Sequence, residues 1–328
     1  MRTDRSHKLG SVLNARRFRV LAGITALSGY LQIVLGGLVR VSGSGLGCPD
    51  WPTCYGRLYP PPTFHAIVEY SHRANGTLFG LLLILTAVAG LWLYRGRRTP
   101  VTWLTVATLL TVVGEGLLGW QVVANLLAPV LVLVHLAIAL LILALMVAIF
   151  LLAAPVPASV LPDRSFARLT LVATGLTYLM LLTGSSVVAT RADQVCKSWP
   201  LCGNGLVFDF SGAAFFAMVH RLTVGPVSLL LLYLLVTALR RHLAVPGVGL
   251  VAGATLVLLL AQVGLGAMVA ITDEQAVLQG AHLALASAVW AGIVALAVIS
   301  RRPAISPAPE IGDDSLVTAQ RTVEGRPA

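Results

Sequence analysis

Residues 128–153 read APVLVLVHLAIALLILALMVAIFLLA, a run with no charged side chain and a single histidine, His135. A helix needs about 20 mostly apolar residues to cross a bilayer, so this run is a membrane span. Seven more stretches meet the same test, at 20–41, 66–94, 102–124, 167–189, 212–238, 246–271 and 275–299. The first follows a 19-residue basic head. It is too long for a signal-peptide core and no small-residue cleavage site follows it, so it reads as a retained span.

Composition agrees. Of 328 residues 57% are hydrophobic and 11% charged, and mean hydropathy is +0.87. Soluble domains carry about 25% charged residues, so a soluble enzyme, a disordered regulator and a fibrous protein are excluded. The net charge of +10 is a topology signal rather than a nucleic-acid footprint. Seventeen of the 23 Lys and Arg lie in the N-terminal head, at 95–98, 164–168 and 240–241, and beyond 300. The other six are Arg40, Arg57, Arg73, Arg191, Lys197 and Arg221. The richer side is expected to be cytoplasmic, with both termini there. The tail 301–328, rich in Pro, Ala, Asp and Glu, is expected to be disordered.

All four cysteines fall in two loops expected outside, as Cys48-x5-Cys54 and Cys196-x5-Cys202. An oxidising compartment pairs thiols, so two short disulfides are the simplest reading. A redox-active dithiol or a zinc site are the rivals, although C-x5-C is not a usual zinc spacing. Both loops read C-x-x-W-P-x-C, 148 residues apart. His72-Arg73 recurs as His220-Arg221 and Gly116 as Gly264 at that offset, and His135 recurs as His282 at 147. The chain is therefore an all-α integral membrane protein of eight transmembrane helices, arranged as two pseudo-symmetric four-helix bundles (1–155 and 156–300). An even number of spans per half gives a parallel repeat.

Of seven histidines, His7, His65 and His242 read as solvated. The others, His72, His135, His220 and His282, lie one each in spans two, four, six and eight, about 10–15 Å below the outer surface at 1.5 Å per residue. A lone intramembrane histidine is often a hydrogen-bonded packing residue, but polar groups in the bilayer are costly and usually functional. Four at one depth, two per half, is a geometry for two metal macrocycles. Imidazole suits zinc as well as heme iron, yet structural zinc gathers four ligands at one point. Two trans imidazoles leave a square plane that a porphyrin fills. Arg40, Arg73, Arg191 and Arg221 either pair with heme propionates or snorkel to the interface.

Two acids break the symmetry. Glu69 shares a helix face with His72, three residues on, and its counterpart is Ala217. This suggests that the N-terminal half does chemistry while a heme in the other half assists; the plainer reading is that Glu69 orients a neighbour. Glu115 in span three falls opposite Val263 at offset 148. It either relays protons or pairs with a polar neighbour.

Taken together, Gly36-Gly37-Leu38-Val39-Arg40, the C-x5-C loop, Glu69-x-x-His72-Arg73 and His135, His220 and His282 resemble the heme A synthase family over about 18–300. The resemblance implies an eight-helix bundle in a bacterial plasma membrane, with the disulfide loops outside. It implies that the C8 methyl of heme O is oxidised to a formyl group, by two successive hydroxylations and a dehydration, to make heme A for cytochrome c oxidase. By position, His72 and His135 would ligate the substrate heme, His220 and His282 a heme b, and Glu69 would be the acid near the reacting carbon. Cys48 and Cys54 match the loop pair of a subset of the family. Heme O synthase and cytochrome oxidase assembly factors are partners by analogy. If both axial positions are histidine, the oxidation runs by electron removal from the porphyrin and attack of water, Glu69 taking a proton; delivery of oxygen from the iron is the alternative. A di-heme b-type electron-transfer protein is a rival, which needs hemes near both membrane faces. A two-fold repeat transporter is another, which needs broken helices or midplane charges.

Overall fold

The computed structural model describes residues 2–95, 99–153, 156–157, 162–272, 276–302 and 304–305. Its helices are α1 (Arg2–Val41), α2 (Phe64–Leu93), α3 (Pro100–Ala124), α4 (Pro129–Leu152), α5 (Arg164–Ala189), the single turn α6 (Gly203–Leu206), α7 (Ala214–Arg241), α8 (Val248–Ile271) and α9 (Ala276–Ile299). All but α6 are long and apolar enough to cross a membrane. Hydrocarbon cannot satisfy a backbone N–H or C=O, so a spanning segment of this composition has little choice but helix. Observed bounds sit within a few residues of those expected, with one exception. Helix α1 runs back through the basic head to Arg2, a stretch that contains no proline to stop it. Elsewhere local chemistry sets the starts. Pro100 and Pro129 occupy first turns, where no N–H is needed, and Asp163 caps α5 by accepting from Phe166 N–H at 2.8 Å.

Hydroxyls inside the spans bond back along their own helix, Thr105 to Val101 O at 2.6 Å and Thr177 to Ala173 O at 2.7 Å. Thr25 and Thr86 also meet across α1 and α2 at 2.9 Å. Packing divides the spans into two closed rings. In the first, α1 and α3 each pack on both α2 and α4; in the second, α5 and α8 each pack on both α7 and α9. This leaves α2 diagonal to α4 and α7 diagonal to α9. Each ring has its own apolar core, around Phe18, Phe79, Leu83 and Met146 in one and Phe166, Leu231, Leu234 and Ile293 in the other.

The rings join along a seam of α1, α4, α5 and α9, filled by Ile33, Leu140, Leu143, Trp290 and Val294. Two tyrosines cross it. Tyr30 of α1 donates to Ala284 O of α9 at 3.1 Å, and Tyr178 of α5 donates to Ala137 O of α4 at 3.0 Å. The tyrosines are 148 residues apart and the carbonyls 147, so the two bonds are images of each other under the repeat. Leu81, Leu110, Leu229 and Leu250 stand outward and more than half exposed, a surface that lipid tails match. At the opposite end from the cysteine loops, Val156–Pro157 pairs in parallel with Ala304–Ile305. Arg301 still packs there, donating to Thr170 Oγ1 at 3.1 Å and to Ala167 O. Beyond residue 305, the tail expected to be disordered lies outside the described residues.

The tightest helix contact sets a test. A Cβ on Gly292 of α9 would meet Thr255 Oγ1 of α8 at 2.1 Å, whereas one on Gly253 would meet nothing within 4 Å. Gly292→Ala is expected to destabilise the fold by about 1–3 kcal/mol, and Gly253→Ala to leave it near wild type, as read by thermal unfolding in detergent.

Candidate functional site

The four intramembrane histidines sit near the cysteine-loop end. His72 is the ninth residue of α2, and His135, His220 and His282 are each the seventh of their helices. They pair across the diagonals. His72 and His135 lie within electrostatic reach of each other, as do His220 and His282.

Each ring rests on a glycine of the preceding span. A Cβ on Gly36 would meet the His72 Cε1 at 3.1 Å, on Gly119 the His135 Cε1 at 3.4 Å, on Gly184 the His220 Cε1 at 2.9 Å and on Gly266 the His282 Cε1 at 2.9 Å. Gly36 and Gly184 are 148 residues apart, and Gly119 and Gly266 are 147 apart, the offset of the histidines they face. The neighbouring Gly37 does a second job. Its Cβ would collide with Leu283 Cδ2 of the other ring at 2.7 Å, so the Gly36-Gly37 pair admits the His72 imidazole on one side and the seam on the other.

Polar neighbours fix the rings. The side chain of Gln32 meets His72 Nε2 at 3.3 Å and accepts in turn from Asn75 at 2.8 Å. Gln262 meets His282 Nε2 at 3.2 Å, and the Thr183 hydroxyl meets His220 Nδ1 at 3.0 Å. Glu115 places Oε1 3.0 Å from His135 Nδ1, an ion-pair distance without hydrogen-bond alignment. This corrects the alignment of the third spans. Glu115 and Gln262 are 147 residues apart and face equivalent histidines, so the counterpart of Glu115 is Gln262, not Val263, and Gly116–Gly264 is not the structural pair. Of the two readings of Glu115, the structure has it beside a polar neighbour. The buried Nδ1 atoms of His72 and His282 have no hydrogen-bonding protein partner. Buried polar atoms are rarely left so. Four imidazoles paired across the diagonals, each ring backed by a glycine and two of them, His72 and His282, with a buried nitrogen that no protein group claims, fit a pair of axial ligands on each diagonal.

Above the first pair, the disulfide Cys48–Cys54 closes with Cα atoms 4.7 Å apart; Cys196–Cys202 matches it at 5.0 Å. Glu69 is 3% exposed and is tied into the first loop. Its Oε2 accepts from Cys48 N–H at 2.8 Å and its Oε1 from Arg73 at 2.5 Å. Arg73 also donates to the carbonyls of Cys48, Asp50 and Thr53. Arg221 repeats the anchoring on the second loop, donating to Cys196 O at 2.8 Å. Of the four arginines singled out by sequence, these two therefore hold loops. Arg40 reaches across the seam to Val188 O at 3.4 Å, and Arg191 is exposed beyond α5. His65 is exposed as expected and also bonds to Ser44 Oγ at 2.9 Å. Sequence reasoning missed Gln32, Asn75, Thr183, Gln262 and the work of the four glycines. The signal was present: amides within an apolar span, and glycines repeating at the histidine offset.

Residues 19–294 match the family model for the cytochrome oxidase assembly protein, COX15-CtaA. Among curated relatives, the heme A synthase of Geobacillus kaustophilus is 26% identical over 307 residues, covering 89% of this chain and 94% of that protein. The heme A synthase of Shouchella clausii is 28% identical over 280 residues, 81% and 90% of the two chains. That of Halalkalibacterium halodurans is 26% identical over 237 residues, 69% and 78%.

The first loop carries a pH prediction. Asp50, outside the spans, accepts from the Thr53 hydroxyl and from the N–H groups of Gly56 and Tyr55. The Thr53 bond foremost holds its carboxyl below the usual aspartate range. A carboxyl lowered in the folded loop favours that loop above its unfolded pKa of about 3.9 and loses the contribution as pH falls through the lower folded value. Acid titration of Trp51 fluorescence is expected to show a transition below about pH 3.9, and Thr53→Ala to move it up toward that value.

Proposed function

The chain belongs to the cytochrome oxidase assembly protein family COX15-CtaA, and from that premise we propose that it is a heme A synthase. In this reading it is an integral membrane oxidoreductase that converts the C8 methyl of heme O to the formyl group of heme A. One observation carries the reading: two diagonal histidine pairs, each ring backed by its own glycine, at matching depth in a duplicated bundle. The N-terminal half takes heme O between His72 and His135. The C-terminal half holds heme b between His220 and His282, and supplies a one-electron redox centre. Of the arginines, Arg40 and Arg191 are assigned to propionates, while Arg73 and Arg221 shape the loops above them.

The chemistry runs methyl to hydroxymethyl to geminal diol, which loses water to give the aldehyde. When water is the oxygen source, each hydroxylation releases two protons and two electrons, the electrons leaving one at a time to an oxidant external to this chain. Glu69 is the buried carboxylate on the His72 face, suited to take a proton from the attacking water. Its bonds to Cys48 N–H and Arg73 hold it in place, which favours a preset base over one that must swing in. The basic end of the bundle is cytoplasmic and the disulfide loops lie outside. Heme O synthase and oxidase assembly factors are its candidate partners by family analogy.

Chromatography of extracted hemes tests the assignment. Wild type is expected to yield heme b together with heme A or hydroxylated heme O. His220→Ala and His282→Ala should lose heme b, and His72→Ala and His135→Ala the product hemes. Heme b alone, with no conversion of supplied heme O, would establish the di-heme cytochrome instead. Glu69→Gln should keep its hemes and lose about 10²- to 10⁴-fold in heme A formation; a wild-type rate would remove Glu69 from the chemistry. Gly266→Ala, whose Cβ enters the His282 ring, should lower heme b content, and Gly119→Ala, with the loosest fit of the four, should disturb its site least.

A further inference from the structure

Tyr30 is in the first helix of the N-terminal half, yet its hydroxyl bonds Ala284 O of the C-terminal half. That carbonyl lies two residues beyond His282, a proposed ligand of heme b. Tyr178 does the reverse, bonding Ala137 O, two residues beyond His135 in the proposed substrate-heme site. Each half therefore supplies the strap that fixes the second ligand helix of the other.

We propose that Tyr30 and Tyr178 are crossed positioning residues: Tyr30 sets the His282 side of the heme b site, and Tyr178 sets the His135 side of the substrate site. The proposal rests on the heme-ligand assignment above. Three features support it. A phenol hydroxyl in hydrocarbon needs a partner, and both tyrosines find it in a carbonyl of the other half. The bonds recur under the repeat, with the donors at the offset of the first ligands and the acceptors at the offset of the second. The seam is also close enough to transmit a shift. Gly37 meets Leu283, the residue next to His282, and Trp290 Nε1 donates to Leu140 O at 2.9 Å on the same two ligand helices. Losing a strap frees a helix carbonyl that already serves its own ladder, so α9 or α4 turns slightly and carries its imidazole with it. The hydroxyls bond helix carbonyls two residues beyond the histidines, and their effect passes through the histidines.

The test uses full-length protein purified with its own hemes. The low-spin electron paramagnetic resonance signals and midpoint potentials of the two hemes are first assigned with His72→Ala and His220→Ala. Tyr30→Phe is expected to shift the signal and potential of the C-terminal heme b and to weaken its retention about threefold, the size of an average intramembrane side-chain hydrogen bond. The N-terminal heme should stay as in wild type. Tyr178→Phe is expected to do the converse, and each variant tests the crossing if the other fails to accumulate. A shift confined to the heme of the tyrosine's own half, or no shift in a variant that retains both hemes, would overturn the proposal. If the wild type carries no heme, the parent assignment fails, and that result is distinct from two bound hemes without crossing.

Discussion

An imidazole within a hydrocarbon layer must find room for its ring and polar company for its nitrogens. This chain meets both needs four times with the same device. A glycine on the preceding span removes the atom that would occupy the ring's place, and an amide, hydroxyl or carboxylate on a neighbouring helix meets a nitrogen. The close approach of odd-numbered to even-numbered spans, the polar residues admitted to apolar helices and the shared depth of the four histidines all follow. A side chain at Gly36, Gly184 or Gly266 pushes the ring away or parts the helices.

Much of this was legible in the sequence because the bilayer makes composition almost equivalent to structure. An uncharged run such as 128–153 has one available conformation, and the C-x-x-W-P-x-C loops marked the duplication without ambiguity. What sequence could not deliver was the interior pairing. Aligning Glu115 with Val263 used the offset of the first half of each bundle, whereas the last two spans run at 147. Only the contacts of Glu115 and Gln262 with equivalent histidines place the slip before Glu115. Likewise Arg73 and Arg221, each following a histidine, read as natural partners for an anionic ligand. Loop carbonyls compete for the same guanidinium, and a residue list does not contain them.

Asymmetry is concentrated where function would require it. Arg221 anchors the second loop, while the first is held by an arginine and a carboxylate acting together. Glu115 faces His135 with a carboxylate where Gln262 faces His282 with an amide. A duplicated scaffold has kept its seam, its glycines and its ring spacing, and has varied the acids around one pair of histidines.

The bond from Cys48 N–H to Glu69 joins two worlds that membrane proteins usually keep apart. One end belongs to a cross-linked loop beyond the bilayer, and the other to a carboxylate with almost no access to water. Arg73 rivets both. Prising the rim of the protein outward thus strips a buried anion of its two donors at once, and a body that settles on that rim presses directly on the carboxylate below.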